Sequence, residues 1–192
     1  MRPKKQGGQS LIEFTFVGIP LIFVLISTFE ISRGMWIYDT LAYAVKQGVR
    51  YATVHGANCS KNGNMCKVFP GPATNTCAAD NNLTAQGVAT SNPSIAEVIR
   101  CAAPGLDPAK TMITLTSITG TVGPCSLETT GGNACTSGAA WPGTGADDPG
   151  DIITIKITTP FNSAIGMFFP GSAPVSFMAG TLGAQSSDNV QY

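Results

Sequence analysis

The sequence predicts an α+β chain in which a long N-terminal membrane-spanning helix continues into a small disulfide-stapled domain. That domain is expected to hold a three-stranded, antiparallel sheet. Three observations lead there. Leu11 to Phe29 carries no charge apart from Glu13. From Ile37 onward, apolar residues recur at Leu41, Ala44, Val45, Gly48, Val49 and Ala52, which is one helical stripe. Ile153, Ile155 and Ile157 then alternate with Thr154, Lys156 and Thr158, the period of a half-buried strand.

The apolar run comes first. It covers about 19 residues, roughly 28 Å as a helix and close to the thickness of a hydrocarbon core. Arg2, Lys4 and Lys5 precede it with no acid before Glu13, so the N-terminus is expected on the cytoplasmic side and the remainder outside. Trp36 and Tyr38 supply interfacial aromatics, and Glu30 and Arg33 are spaced to neutralise each other near the outer boundary. A cleaved secretory signal would need a small-residue site soon after the run. The sole A-x-A, Ala42-Tyr43-Ala44, lies well beyond Phe29 and inside the helical stripe. The helix is therefore expected to span about 11–29 and to extend as an amphipathic segment to 55, reaching on the order of 65 Å.

Two features of the run need a reason. A charged side chain at the centre of a bilayer helix costs about 2.5–3.5 kcal/mol, less near the boundary. Ser10-Leu11-Ile12-Glu13 offers a purely structural one, a capping box with Ser10 as N-cap. Pro20 removes a backbone donor and is expected to kink or loosen the helix over Phe16 to Pro20, which membrane helices commonly tolerate.

The segment Gly8-Gln9-Ser10-Leu11-Ile12-Glu13-Phe14, together with Val49-Arg50-Tyr51-Ala52, resembles the TadE-like family, pseudopilins (minor pilins) of tight-adherence, or Flp, type IV pilus systems. The resemblance covers about residues 7–55. It implies a prepilin leader at 1–8, cut between Gly8 and Gln9 by a prepilin peptidase, with Glu13 fifth in the mature chain. It further implies that the Glu13 carboxylate pairs with the freed amine of Gln9, of the same or a neighbouring subunit. The implied partners are the membrane, the prepilin peptidase, other pilin or pseudopilin subunits and the pilus assembly platform. The implied location is the inner membrane, single-pass, with the domain extracytoplasmic or carried into a pilus.

Residues 56–192 form the outer domain. The 22 glycines and 13 prolines of the chain suit short strands joined by long loops. Residues 56–92 read as loop. Asn92-Pro93-Ser94 opens a short helix with Ile95, Val98, Ile99 and Ala102 on one face, ended by Pro104-Gly105. Met112 to Ile118 is strand-like, and residues 120–150 read as a long Gly/Pro loop. Asp151 to Thr159 is a strand stopped by Pro160. Ser163 to Phe169 suggests a turn of helix and Val175 to Leu182 a last strand.

Cys59, Cys66, Cys77, Cys101, Cys125 and Cys135 all follow the apolar run, and an even count in an extracytoplasmic domain reads as disulfides. Proximity favours Cys125–Cys135 and Cys59–Cys66, leaving Cys77–Cys101, among 15 possible pairings. Zinc on His55, Cys59, Cys66 and Cys77 is the alternative, without any C-x-x-C pair.

No chemistry is expected. The single histidine, His55, falls at the helix end, where a cap is the ordinary role. No nucleophile elbow, zinc-protease, phosphate-loop or dinucleotide motif occurs. Asp147-Asp148-Pro149-Gly150-Asp151 reads as a solvated turn, with calcium as the outside alternative. With 11% charged residues and zero net charge, no nucleic-acid surface is expected, and no metal, cofactor, small-molecule substrate or catalytic residue is assigned. The expected role is non-enzymatic. It is assembly of a tight-adherence pilus by helix packing and surface presentation, or alternatively an uncleaved membrane-anchored extracytoplasmic binding or adhesion module.

Overall fold

The computed structural model describes residues 8–56, 94–128, 135, 140–162 and 180–191. Helix α1 (Gln9–Val54) runs 46 residues without a break, through Pro20, for about 69 Å. Pro20 offers no N–H to the Phe16 carbonyl, yet the helix continues on both sides of it. Several threonine and serine hydroxyls along α1 are satisfied within the helix. Thr15 donates to the Leu11 carbonyl at 2.8 Å and Thr28 to that of Val24 at 2.8 Å, which keeps these groups paired in an apolar surrounding.

Helix α2 (Ile95–Ala102) starts two residues later than expected, since Pro93 is read from the sequence as near the first helical position, after an Asn92 cap. Ser94 is its N-cap and accepts from the Glu97 N–H at 3.1 Å, so the cap is Ser94 and not Asn92. Asn92 and Pro93 lie outside the described residues. Among the described residues the sheet has four strands, not three: β1 (Met112–Ser117), β2 (Gly120–Ser126), β3 (Ile152–Phe161) and β4 (Gly180–Asn189). All neighbours are antiparallel, in the order β2-β1-β3-β4.

Each departure from expectation has a local cause. β2 lies inside the stretch read as a Gly/Pro loop. Its pairing with β1 shifts between Ile113 and Leu115, and Pro124 sits on this outer strand, where a missing donor is tolerated. Gly123 is required there, because its φ is +103° and a Cβ would meet the Ile113 carbonyl oxygen at 2.5 Å. β3 does not stop at Pro160 but continues to Phe161. Pairing with β1 ends at Met112↔Thr158, so Pro160 faces a strand on the β4 side alone. The last strand is described over 180–189, so it includes 180–182 of the expected 175–182 and runs on to Asn189; residues 175–179 and the predicted helical turn at 163–169 lie outside the described residues.

One face of the sheet makes the core. Ile113 pairs with Ile157, Leu115 with Ile155, and Ile157 with Ala184, and all five are buried. Over them pack Leu41, Ala44, Val45, Val49 and Ala52 of α1 and Ile95, Ile99 and Ala102 of α2, the two stripes that periodicity marked. Burying each Leu, Ile or Val in this way contributes about 1.5–3 kcal/mol. Gly48 leaves the room that Ile99 of α2 fills, since a Cβ there would lie 2.6 Å from Ile99 Cγ1.

The chain end closes the layer. Val190 exchanges bonds with Asp151 and Gly150, and the Gln191 N–H donates to the Thr53 carbonyl at 3.1 Å. Cys125 and Cys135 form a disulfide with Cα atoms 5.0 Å apart. Cys101 is also disulfide-bonded, but Cys59, Cys66 and Cys77 lie outside the described residues.

Candidate functional site

α1 has two halves with opposite surroundings. From Leu11 to Phe29 its large apolar side chains, the half-buried Ile26 apart, face outward, with Phe14 at 78% and Phe29 at 71% exposure. From Leu41 to Thr53 one face is buried under the sheet and α2. Among the described residues this is the one helix long and apolar enough to cross a membrane.

At its start the helix differs from the capping-box expectation. Gly8 is the N-cap, and its carbonyl accepts from the Ile12 N–H at 3.3 Å. Ser10 is thus already helical, and Glu13 lies beyond the first turn, where it cannot take the third helical position of a box. Gln9 is the first helical residue and Glu13 stands on the same face one turn on, about 6 Å along the axis. Glu13 is exposed on the helix surface.

The outer end of the apolar run carries a cluster that local spacing only half anticipated. Glu30 and Arg33 pair as expected, with Oε2 and Nη1 3.9 Å apart, but unequally: the Glu30 side chain is 1% exposed and that of Arg33 44%. The Arg33 guanidinium lies 5.3 Å from the centroid of the Phe161 ring, a cation–π placement. It also donates to the Asn162 carbonyl at 3.2 Å. Phe161 and Asn162 gave no sign of this in the sequence, because nothing local links them to a helix residue 129 positions away.

The remaining candidates are structural. The His55 backbone N–H donates to the Tyr51 carbonyl at 3.2 Å as the C-cap of α1. Its ring Nδ1 lies 2.9 Å from the same oxygen, and the ring stacks on that of Tyr51 with centroids 4.4 Å apart. The acidic turn is folded back on itself: the Asp148 N–H donates to Asp151 Oδ2 at 3.1 Å, and the Asp151 N–H to the Asp148 carbonyl at 3.0 Å. Asp147 is buried, so the turn is only partly solvated. Among the described residues, no group of three His, Cys, Asp or Glu side chains could hold a metal ion.

Comparison with known families gives a match over the start of the chain. Residues 8–50 match the model of the family described as TadE-like protein. No curated protein and no solved structure matches the chain.

Proposed function

With residues 8–50 a TadE-like segment, we propose that the protein is a pseudopilin, or minor pilin, of a tight-adherence pilus system. It acts by packing rather than by catalysis. The carrying observation is that the matched segment begins at Gly8 and runs through a helix half whose large apolar side chains, the half-buried Ile26 apart, are presented outward. Such a surface suits lipid first and the helices of other pilin subunits second. In this reading a prepilin peptidase cuts between Gly8 and Gln9, and the new amine lies one turn from Glu13. An ammonium there offsets the cost of a carboxylate in the bilayer and favours one stagger between packed helices. The assembly platform then draws the subunit from the inner membrane, leaving its domain on the extracytoplasmic side.

Intact mass and N-terminal sequencing of membrane-extracted protein test the reading. A mature chain beginning at Gln9, in cells with an active peptidase, supports it. A leader left whole in those cells refutes it in favour of an uncleaved anchored module.

A further inference from the structure

Three contacts fix how the sheet lies along α1. Gly34 faces the Phe161 ring, to which a Cβ would approach within 3.8 Å. Gly48 faces Ile155. The Thr53 carbonyl accepts from Gln191, just past the end of β4. Positions on α1 and along the β3–β4 pair therefore correspond in order. Gly34 to Thr53 spans about 28 Å of helix, and a ten-residue strand about 33 Å. The two strands lie lengthwise on the helix, with the Phe161–Gly180 end nearest the apolar run and the Ile152–Asn189 end farthest from it.

That near end coincides with a defined level. The uncharged run ends at Phe29 and the first cation after it is Arg33. Gly34 stands about 7 Å above Phe29, and the polar layer on one side of a bilayer is about 5–8 Å thick. Trp36, 55% exposed, stands just above, its ring edge 3.1 Å from where a Cβ on Gly105 would be. Arg33 is held by Phe161 and Asn162 yet remains partly open to its surroundings, and a guanidinium has five N–H donors suited to phosphate.

We propose that, in the membrane-resident protein, the Phe161–Gly180 end of the sheet rests on the phospholipid headgroup layer, with Arg33 donating to lipid phosphate. This rests on the reading of residues 11–29 as a membrane span. The domain then stands with its sheet along the membrane normal, and the Asp148–Asp151 turn and the C-terminal residues at the far end.

The test uses the full chain with native disulfides kept oxidised, reconstituted in phosphatidylcholine–phosphatidylglycerol vesicles containing headgroup-nitroxide lipid. Environment-sensitive fluorophores are attached at Thr181→Cys or Asn189→Cys, two exposed positions of β4 about 26 Å apart. The probe at 181 is expected to lose most of its emission, and the probe at 189 to keep the level seen without nitroxide. Equal quenching, or stronger quenching at 189, overturns the orientation. Arg33→Gln, with helix content unchanged, is expected to relieve the quenching at 181; undiminished quenching removes Arg33 from the contact. Flotation with the vesicles through alkaline carbonate separates the two readings. Protein that fails to float overturns the span and the orientation together, whereas protein that floats with equal quenching overturns only the orientation.

Discussion

Gly48→Ala isolates the packing of α1 against the domain. Alanine in place of glycine inside a helix ordinarily gains about 0.5–1 kcal/mol, because the unfolded chain loses freedom. At 48 the added methyl would lie 2.6 Å from Ile99 Cγ1 and 2.8 Å from Ile99 Cδ1, with Ile155 Cδ1 at 3.6 Å. Ile99 is fully buried. Its Cγ1 is set by χ1, which is stiff in a β-branched residue on a helix. Relief thus needs a rotamer change or a shift of α2, and overpacking of this kind costs about 1–3 kcal/mol. The net expectation is a loss of about 0.5–2 kcal/mol.

Gly34→Ala is the internal control. The same substitution on the same helix meets the Phe161 ring at 3.8 Å and 3.9 Å, ordinary contact distances, so the gain of about 0.5–1 kcal/mol should survive. Thermal unfolding of the full chain in detergent, followed by circular dichroism, reads both; each kcal/mol moves Tm by about 2–4 °C in a chain of this size. Ile99→Ala removes both clashing atoms, and in that background Gly48→Ala should no longer destabilise, a coupling of about 1–2 kcal/mol. If Gly48→Ala proves as stable as Gly34→Ala, the close approach of the two helices is not what holds glycine at 48, and the reasoning fails.

Removing the Cys125–Cys135 disulfide (separation 10) by paired serine substitution should cost about 2–3 kcal/mol on loop entropy, read as a lower Tm that added reductant no longer changes through this bond. Tyr51, outside the apolar run, has its phenol pushed up to about 12, first by burial and then by the charge of Glu97. Its stabilising effect is therefore present below the ordinary phenol value and lost as pH rises through about 12. Ultraviolet titration should show a late phenolate transition that Tyr51→Phe abolishes. Glu13→Ala should leave membrane insertion intact and reduce surface pili, counted by electron microscopy; normal piliation would remove Glu13 from subunit pairing.

Legibility of the fold tracked the depth of burial. The α1 stripe from Leu41 to Ala52 and the core face of β3 were readable because each faces one apolar partner throughout, so the side-chain period survives in the sequence. β2 and β4 border the sheet. A border strand owes its place to backbone pairing on one side, so Gly120-Thr121-Val122-Gly123-Pro124 and Gly183-Ala184-Gln185-Ser186 can be strands without a strand's composition. Helix starts failed differently. Ser10 and Asn92 both had the chemistry of a cap, but Gly8 and Ser94 took the positions, since a cap is chosen by where the chain turns and not only by which nearby side chain can accept. Of the proposed site, Gly8, Gln9 and Glu13 are marked by a local spacing alone, which the helix start at Gly8 sets one turn apart. The hold of Phe161 and Asn162 on Arg33 was not, because it exists only once the sheet has folded back on the helix.

The two halves of α1 make different demands on one continuous helix. The inner half must be apolar all round, which leaves its interactions unspecific apart from Glu13. The outer half must be apolar on one face only, which commits that face to the domain and leaves none of it for another subunit. An assembling partner can therefore meet the inner half, or the outward face of the outer half, without unfolding the head. Glu30 and Arg33 stand at the change-over. Burial of Glu30 beside a partly open Arg33 places a charge pair where the exposed half of α1 gives way to the packed half, and the Phe161 and Asn162 contacts carry that level into the sheet. Rotating the domain about the helix would have to break the Arg33 bond and strip the Leu41–Ala52 face at once. Motion between the exposed half of α1 and the sheet is consequently expected in the helix itself before Glu30, where Pro20 has already removed a backbone bond.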